Sequence, residues 1–167
     1  MKVLDLKIAL PRASLHCPNK PDLNCWGWEF NEEIARESIP KTEAAAAECF
    51  PQAQAIGFIG FSSGGYLVNQ LFQRHLVKKV YPRVRWNVSI GSSLGRWIDS
   101  DAISGFLDSR PLVLLVGKQD HSNYDPKDGY FHFLKSHGAQ VSLQLFDGGH
   151  DVPDEPFITA VKSVQLE

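Results

Sequence analysis

Cysteine is scarce in this chain, and runs of positive charge and long apolar runs are missing. Its three cysteines in 167 residues, Cys17, Cys25 and Cys49, form an odd set. They lack the spacing of a metal knuckle, which favours free thiols in a reducing compartment, though Cys17 and Cys25 stand near enough to bridge. No run of Lys or Arg exceeds the pair Lys78-Lys79, and the formal net charge is −2. The chain therefore carries no electrostatic footprint for a nucleic-acid backbone or an anionic membrane. The first residues, M-K-V-L-D-L-K-I-A-L-P, are interrupted by Asp5 and Lys7, too broken for a secretory h-region and too short to span a bilayer. A soluble, cytoplasmic protein without membrane insertion is expected, with a small molecule as partner. Internal repeats, low-complexity tracts and linker-like Gly/Pro clusters are also missing.

What remains has the bulk of one globular domain. The hydrophobic share is 43% and the charged share 22%, close to the globular average. A chain of this length can bury roughly 70% of its unfolded surface without metals or bridges. A single domain over residues 1–167 is the expectation.

Five apolar or β-branched stretches punctuate the chain: Leu6–Leu10, Ala55–Phe61, Trp86–Ile90, Pro111–Gly117 and Val141–Phe146. Runs such as I-G-F-I-G-F and L-V-L-L-V-G lack two-residue alternation, as strands covered on both faces do. Between them lie helix-forming segments. Thr42–Glu48 is rich in alanine, and Tyr66–Val77 places Leu67, Val68, Leu71, Phe72, His75 and Leu76 at helical spacing. A short helix capped by Asp99 or Ser100, another over Pro126–His137 and a last amphipathic one over Asp154–Gln165 complete the set. The alternation predicts an α/β fold: a three-layer α/β/α sandwich around a mostly parallel sheet of about five strands.

One stretch carries chemistry. Gly60-Phe61-Ser62-Ser63-Gly64 matches G-x-S-x-G, the nucleophile elbow, in which a serine sits on a strained strand-to-helix turn and its neighbours two positions away must be nearly without side chains. The motif is weak by itself, and Gly91-Ser92-Ser93-Leu94-Gly95 matches it too. Only the first runs from an unbroken apolar strand into a long amphipathic helix, whose first N–H groups would face the serine. Ser62 is preferred over Ser63, because an elbow on Ser63 would put Phe61 where glycine is needed.

A serine nucleophile needs a base and a group to orient it. His75 and His132 fall within helices, His137 near a helix end and His16 ahead of the elbow strand; His121 and His150 remain. His150 comes after the last strand in F-D-G-G-H-D, where the paired glycines are expected to let the loop turn back across the sheet edge. Asp120 ends the preceding strand in G-K-Q-D and emerges at the same edge, with Asp125 and Asp128 in reserve. The order Ser, Asp, His, each just after a strand, suits the carboxyl edge where open α/β sheets place their sites. A metal site from His121, Asp125 and His132 matches no known ligand spacing.

Together I-A-L-P-R-A before the loop Cys25-Trp26-Gly27-Trp28-Glu29, the stretch I-G-F-I-G-F-S-S-G-G-Y, the strand ending G-K-Q-D and the closing D-G-G-H resemble the α/β-hydrolase superfamily. Within it the likeness is to the phospholipase/carboxylesterase group, which holds acyl-protein thioesterases and small dienelactone-hydrolase-like esterases. It covers most of the chain from about residue 6, and it implies Ser62 as nucleophile, His150 as base and Asp120 as orienter. It also implies hydrolysis of a small carboxylic ester or thioester, with no cofactor and no metal. Dienelactone hydrolases proper tend to carry cysteine at the elbow, so Ser62 leans to the esterase side.

The likeness departs before the elbow, where this sequence holds no H-G-x-G-type loop to complete an oxyanion hole. Ser63 offers one backbone N–H; a second can come from the loop after the first strand, from a side chain or from a neighbouring subunit, and the first is favoured, on Arg12 or Ala13, since Pro11 has no N–H. A short sheet also leaves an edge that a second copy can cover, as in a homodimer. Trp26, Trp28 and Trp97 are candidates to line an acyl pocket. The competing expectation is a hydrolase-like module that has lost turnover and binds an acyl ligand or a protein partner.

Overall fold

The structure, a computed structural model, describes residues 15–16, 26–27, 41, 44–45, 48–52, 55–78, 84–92, 110–121, 124 and 130–165. They fall in two compact units, residues 1–53 and 54–167. In the first, β1 (Leu15–His16) pairs antiparallel with β2 (Trp26–Gly27). Lys41, Ala44, Ala45, Glu48 and Cys49 are helical, within and beside the alanine-rich segment predicted to be so. Cys49 is a free, exposed thiol; Cys17 and Cys25 lie outside the described residues, as does the predicted strand Leu6–Leu10.

The second unit holds a four-stranded parallel sheet in sequential order: β3 (Ile56–Phe61), β4 (Val84–Ile90), β5 (Leu112–Gly117) and β6 (Val141–Phe146). These are four of the five predicted strands, and the fold class is α/β as expected. Among the described residues of this unit are three helices: α1 (Ser63–Lys78), α2 (Tyr130–Ser136) and α3 (Asp154–Gln165). α1 begins three residues ahead of its predicted start, directly behind Ser62.

Both faces of the sheet are covered at its centre, for a reason visible in β5, while Ile59 and Phe61 of β3 and Leu145 of β6 are exposed. All six of its residues are buried, which an apolar run permits and an alternating one would not. Leu112 and Leu114 join Phe72 of α1, Val84, and Tyr130 and Leu134 of α2 in one cluster. Because successive strand residues point to opposite faces, Val113 and Leu115 face the other side. There α3 packs across β4, β5 and β6 through its buried Ala160, Val161 and Val164. Parallel neighbours visited in one direction by right-handed crossovers put their connecting helices on a single face, which accounts for α1 and α2 sharing a cluster.

α2 ends in a tight motif that turns the chain into β6. Ala139 N–H donates to Leu134 C=O and Gly138 N–H to Lys135 C=O, the two bonds of a Schellman cap, with Gly138 at φ 81°. The helix predicted after Asp99 lies outside the described residues.

Candidate active site

Ser62 sits between β3 and α1 with φ 52°. This left-handed conformation is uncommon for any residue with a Cβ. Three backbone facts hold it there. Its N–H donates to Ile90 C=O at 2.8 Å, continuing the β3–β4 ladder one step past the strand, and its C=O accepts from Tyr66 N–H at 3.1 Å, opening the helix. A Cβ on Gly60 would collide with the carbonyl of Gly64. The strand thus passes into the helix with no room for side chains on the inside of the bend, as an elbow requires.

The serine hydroxyl meets the imidazole of His150. Ser62 Oγ lies 2.8 Å from His150 Nε2, and His150 Nδ1 lies 2.6 Å from Asp120 Oδ2. The carboxylate is nearly enclosed, its side chain 3% exposed, whereas the imidazole is 38% exposed. A carboxylate can only accept, so Nδ1 carries the proton and donates it to Asp120. That leaves Nε2 as the acceptor for the serine hydroxyl. The ring of Phe61 lies against the imidazole, centroids 4.8 Å apart and planes tilted by 32°.

The loops bearing Asp120 and His150 are stitched together beyond the ends of β5 and β6. Lys118 N–H donates to Phe146 C=O, Gln119 N–H to Gly148 C=O and Asp120 N–H to Gly117 C=O. Lys118 and Asp147 add a 2.7 Å ion pair across the same gap, exposed and therefore worth little. The sequence reading credited the turn of the His150 loop to Gly148 and Gly149, and this is corrected. Neither takes a left-handed φ, and a Cβ on Gly149 would meet open space. Gly148 is needed for space, since a Cβ there would stand 2.8 Å from the Phe146 ring, and so is Gly117, where a Cβ would strike the carbonyls of Gly148 and Gly149 folded over it.

The structure thus brings Ser62, His150 and Asp120 together at the carboxyl edge of one sheet. Ser63 comes next as the first residue of α1, where helix N–H groups have no intrahelical acceptor. Arg12, Ala13, Asp125, Asp128, Trp28 and Trp97 lie outside the described residues, as do the side chains of Trp26 and His75. His121 is exposed in the turn after Asp120, and His132 and His137 are exposed on and beside α2. In the second G-x-S-x-G match, Ser93 lies outside the described residues, but Gly91 and Ser92 both bear on the site. The sequence marks Phe61, Gly91 and Ser92 only as members of the two G-x-S-x-G matches, without their roles beside His150 and behind the elbow, and it does not mark Asn69, Asn87 or Ser89 as site residues. Asn87 and Ser89, lodged in the otherwise apolar run W-N-V-S-I, were the available signal for the last group.

No protein-family model matches the sequence, and no curated protein matches it significantly. Solved structures do match in fold. The chain is similar to esterase PE8, with a TM-score of 0.69 and 17% identity over 93% of this chain and 76% of that one. It is similar to an uncharacterized protein from Bacillus cereus ATCC 10987, with a TM-score of 0.75 and 15% identity over 95% of this chain and 51% of that one. It is also similar to acyl-protein thioesterase 2 of Zea mays, with a TM-score of 0.58 and 18% identity over 85% and 72%. The likeness is one of fold, shared with solved structures that include an esterase and an acyl-protein thioesterase.

Proposed function

We propose that the chain is a serine hydrolase that cleaves small carboxylic esters or thioesters through an acyl-enzyme on Ser62. The observation that supports this reading is the relay of two hydrogen bonds, Ser62 Oγ to His150 Nε2 at 2.8 Å and His150 Nδ1 to Asp120 Oδ2 at 2.6 Å. Both lengths are within range for direct proton transfer and for holding a tautomer.

In the first half-reaction Ser62 Oγ attacks the acyl carbon as its proton passes to His150 Nε2. A C–O bond forms and the carbonyl π-pair moves onto oxygen. Collapse of that oxyanion expels the alkoxide or thiolate, which takes the proton from His150 and leaves as alcohol or thiol. In the second half-reaction water attacks the acyl-serine, giving one proton to His150; the acid departs, and the proton returns to Ser62. Asp120 stays ionised and steadies the imidazolium in both halves. The chemistry calls for no cofactor.

The oxyanion is assigned to the N–H of Ser63, at the start of α1, with a second donor expected from outside the described residues. Each such donor contributes on the order of 3 kcal/mol to the transition state. The three side chains of the relay all belong to residues 54–167, and the reading is made for that unit.

The test is labelling with an alkyl fluorophosphonate, mapped by mass spectrometry, beside turnover of aryl esters of increasing acyl length. Modification at Ser62 with loss of turnover is expected. A folded protein that neither labels nor hydrolyses any ester in the series would instead be a binding module built on a hydrolase scaffold.

A further inference from the structure

Behind the elbow lies a polar cluster that the acyl-transfer scheme leaves unused. Asn69 of α1, Asn87 and Ser89 of β4, and Ser92 just past β4 are all buried, none more than 4% exposed. Their bonds form a connected set. Asn87 Nδ2 donates to Asn69 Oδ1 at 2.9 Å, and Asn69 Nδ2 donates to Ser92 C=O at 3.1 Å. The hydroxyls of Ser89 and Ser92 are 2.5 Å apart. Ser92 Oγ is 3.2 Å from Ile90 C=O, and Ser89 Oγ is 3.4 Å from Gly65 C=O.

The two carbonyls that these hydroxyls reach are parts of the elbow. Ile90 C=O is the acceptor for Ser62 N–H, and Gly65 C=O lies in the first turn of α1. The hydroxyl pair has two protons; one joins the two oxygens, and the other goes to one of the carbonyls. Gly65 is shaped for this contact, since a Cβ there would occupy the place of Ser92 Oγ. Filling such a space with aliphatic side chains is ordinarily at least as stable as filling it with hydroxyls and amides. Here, moreover, Asn87 Oδ1 is buried with no hydrogen-bond partner among the described residues. What directional bonds provide and aliphatic packing does not is a fixed orientation of the groups they hold.

We propose that Asn69, Asn87, Ser89 and Ser92 are positioning residues, a polar clamp that sets the height and angle of Ser62 against His150. Ser92 is its hub. The clamp acts through whichever backbone carbonyl, Ile90 or Gly65, takes the remaining hydroxyl proton, and it touches no substrate. The inference rests on the hydrolase reading.

The experiment measures the rate constant for fluorophosphonate labelling of Ser62, and kcat and KM on an aryl ester, in the wild-type protein, in Ser92→Ala and in the double variant Asn69→Leu/Asn87→Leu. The double variant removes both ends of the amide pair together with the Asn69 donor to Ser92 C=O, whereas the single one removes only the Ser92 hydroxyl, so the two perturb different bonds of the cluster. Circular dichroism checks that each is folded at the assay temperature. Labelling and kcat are expected to fall about tenfold or more in a folded variant, with KM within about twofold, as for a nucleophile displaced by a fraction of an ångström. Folded variants that label and turn over within about twofold of a reactive wild type overturn the clamp alone. A wild-type protein that does not label at Ser62 removes the hydrolase reading, and the clamp falls with it.

Discussion

Gly91 lies directly against His150. A Cβ on Gly91 would stand 2.9 Å from both Cε1 and Nδ1 of the imidazole and 3.4 Å from Asp120 Oδ2, and the residue has φ 57°. Its backbone also continues the ladder to β5, Gly91 N–H donating to Leu115 C=O at 2.9 Å. The glycine is needed twice, for its conformation and for the space beside the ring. Gly91→Ala is expected to cost about 1–2 kcal/mol of stability through the left-handed φ. It should lower kcat/KM by about a hundredfold, because the added Cβ would press the imidazole off its line between Ser62 and Asp120. Denaturant melts and steady-state kinetics on the purified variant check the two effects separately.

Ser62 holds a backbone conformation that glycine adopts without penalty, so strain and chemistry at this position separate by substitution. Ser62→Ala and Ser62→Gly are both expected to lose turnover by about 10^4-fold or more. The glycine variant should be the more stable of the two by about 1 kcal/mol, which at this chain length is a rise of about 2–4 °C in Tm. Calorimetry of the pair measures it; equal melting temperatures would deny that the elbow is strained.

Asp120→Asn keeps the shape of the buried side chain and changes what it offers His150. An amide can present its NH2 to Nδ1, which moves the ring proton to Nε2 and leaves the serine facing a donor instead of an acceptor. A fall in kcat of about 10^4-fold is expected with the fold retained. Kinetics beside a thermal melt decide it, and a loss below about tenfold would point to another orienting group.

Leu114 provides the contrast, since it lies in the core cluster and is fully buried but touches none of the reacting groups. Leu114→Ala is expected to cost about 2–5 kcal/mol through the cavity it leaves. Activity per folded molecule should change little. Urea unfolding and active-site titration with the fluorophosphonate distinguish the two quantities.

Much of this was legible in the residues because parallel strands buried on both faces have a conspicuous pattern. Continuous apolar runs marked β3 and β5, and a change to helical spacing marked α1. The chemistry stood where those runs ended, so Ser62, Asp120 and His150 were found in the few residues just past the end of a strand. Contacts between distant backbones were not legible. Nothing local to Gly117 or Gly91 says that a loop from another strand lies over it, and the glycines beside His150 drew notice because they were adjacent in sequence. Asn87 and Ser89 were readable as polar residues in a buried strand, but their partner Asn69 is on a helix whose polar positions ordinarily face water.

Ser62 and His150 stand 88 positions apart, and His150 and Asp120 stand 30 apart. No fragment short enough to order itself contains the pair that must exchange a proton, so reactivity toward an electrophile is a property of the finished tertiary structure. Protein caught part-way through folding, even with its helices formed, has an ordinary alcohol at position 62. On the proposed reading, the hydroxyl that would carry an acyl group therefore serves as a gauge of nativeness, reactive only once the sheet has closed.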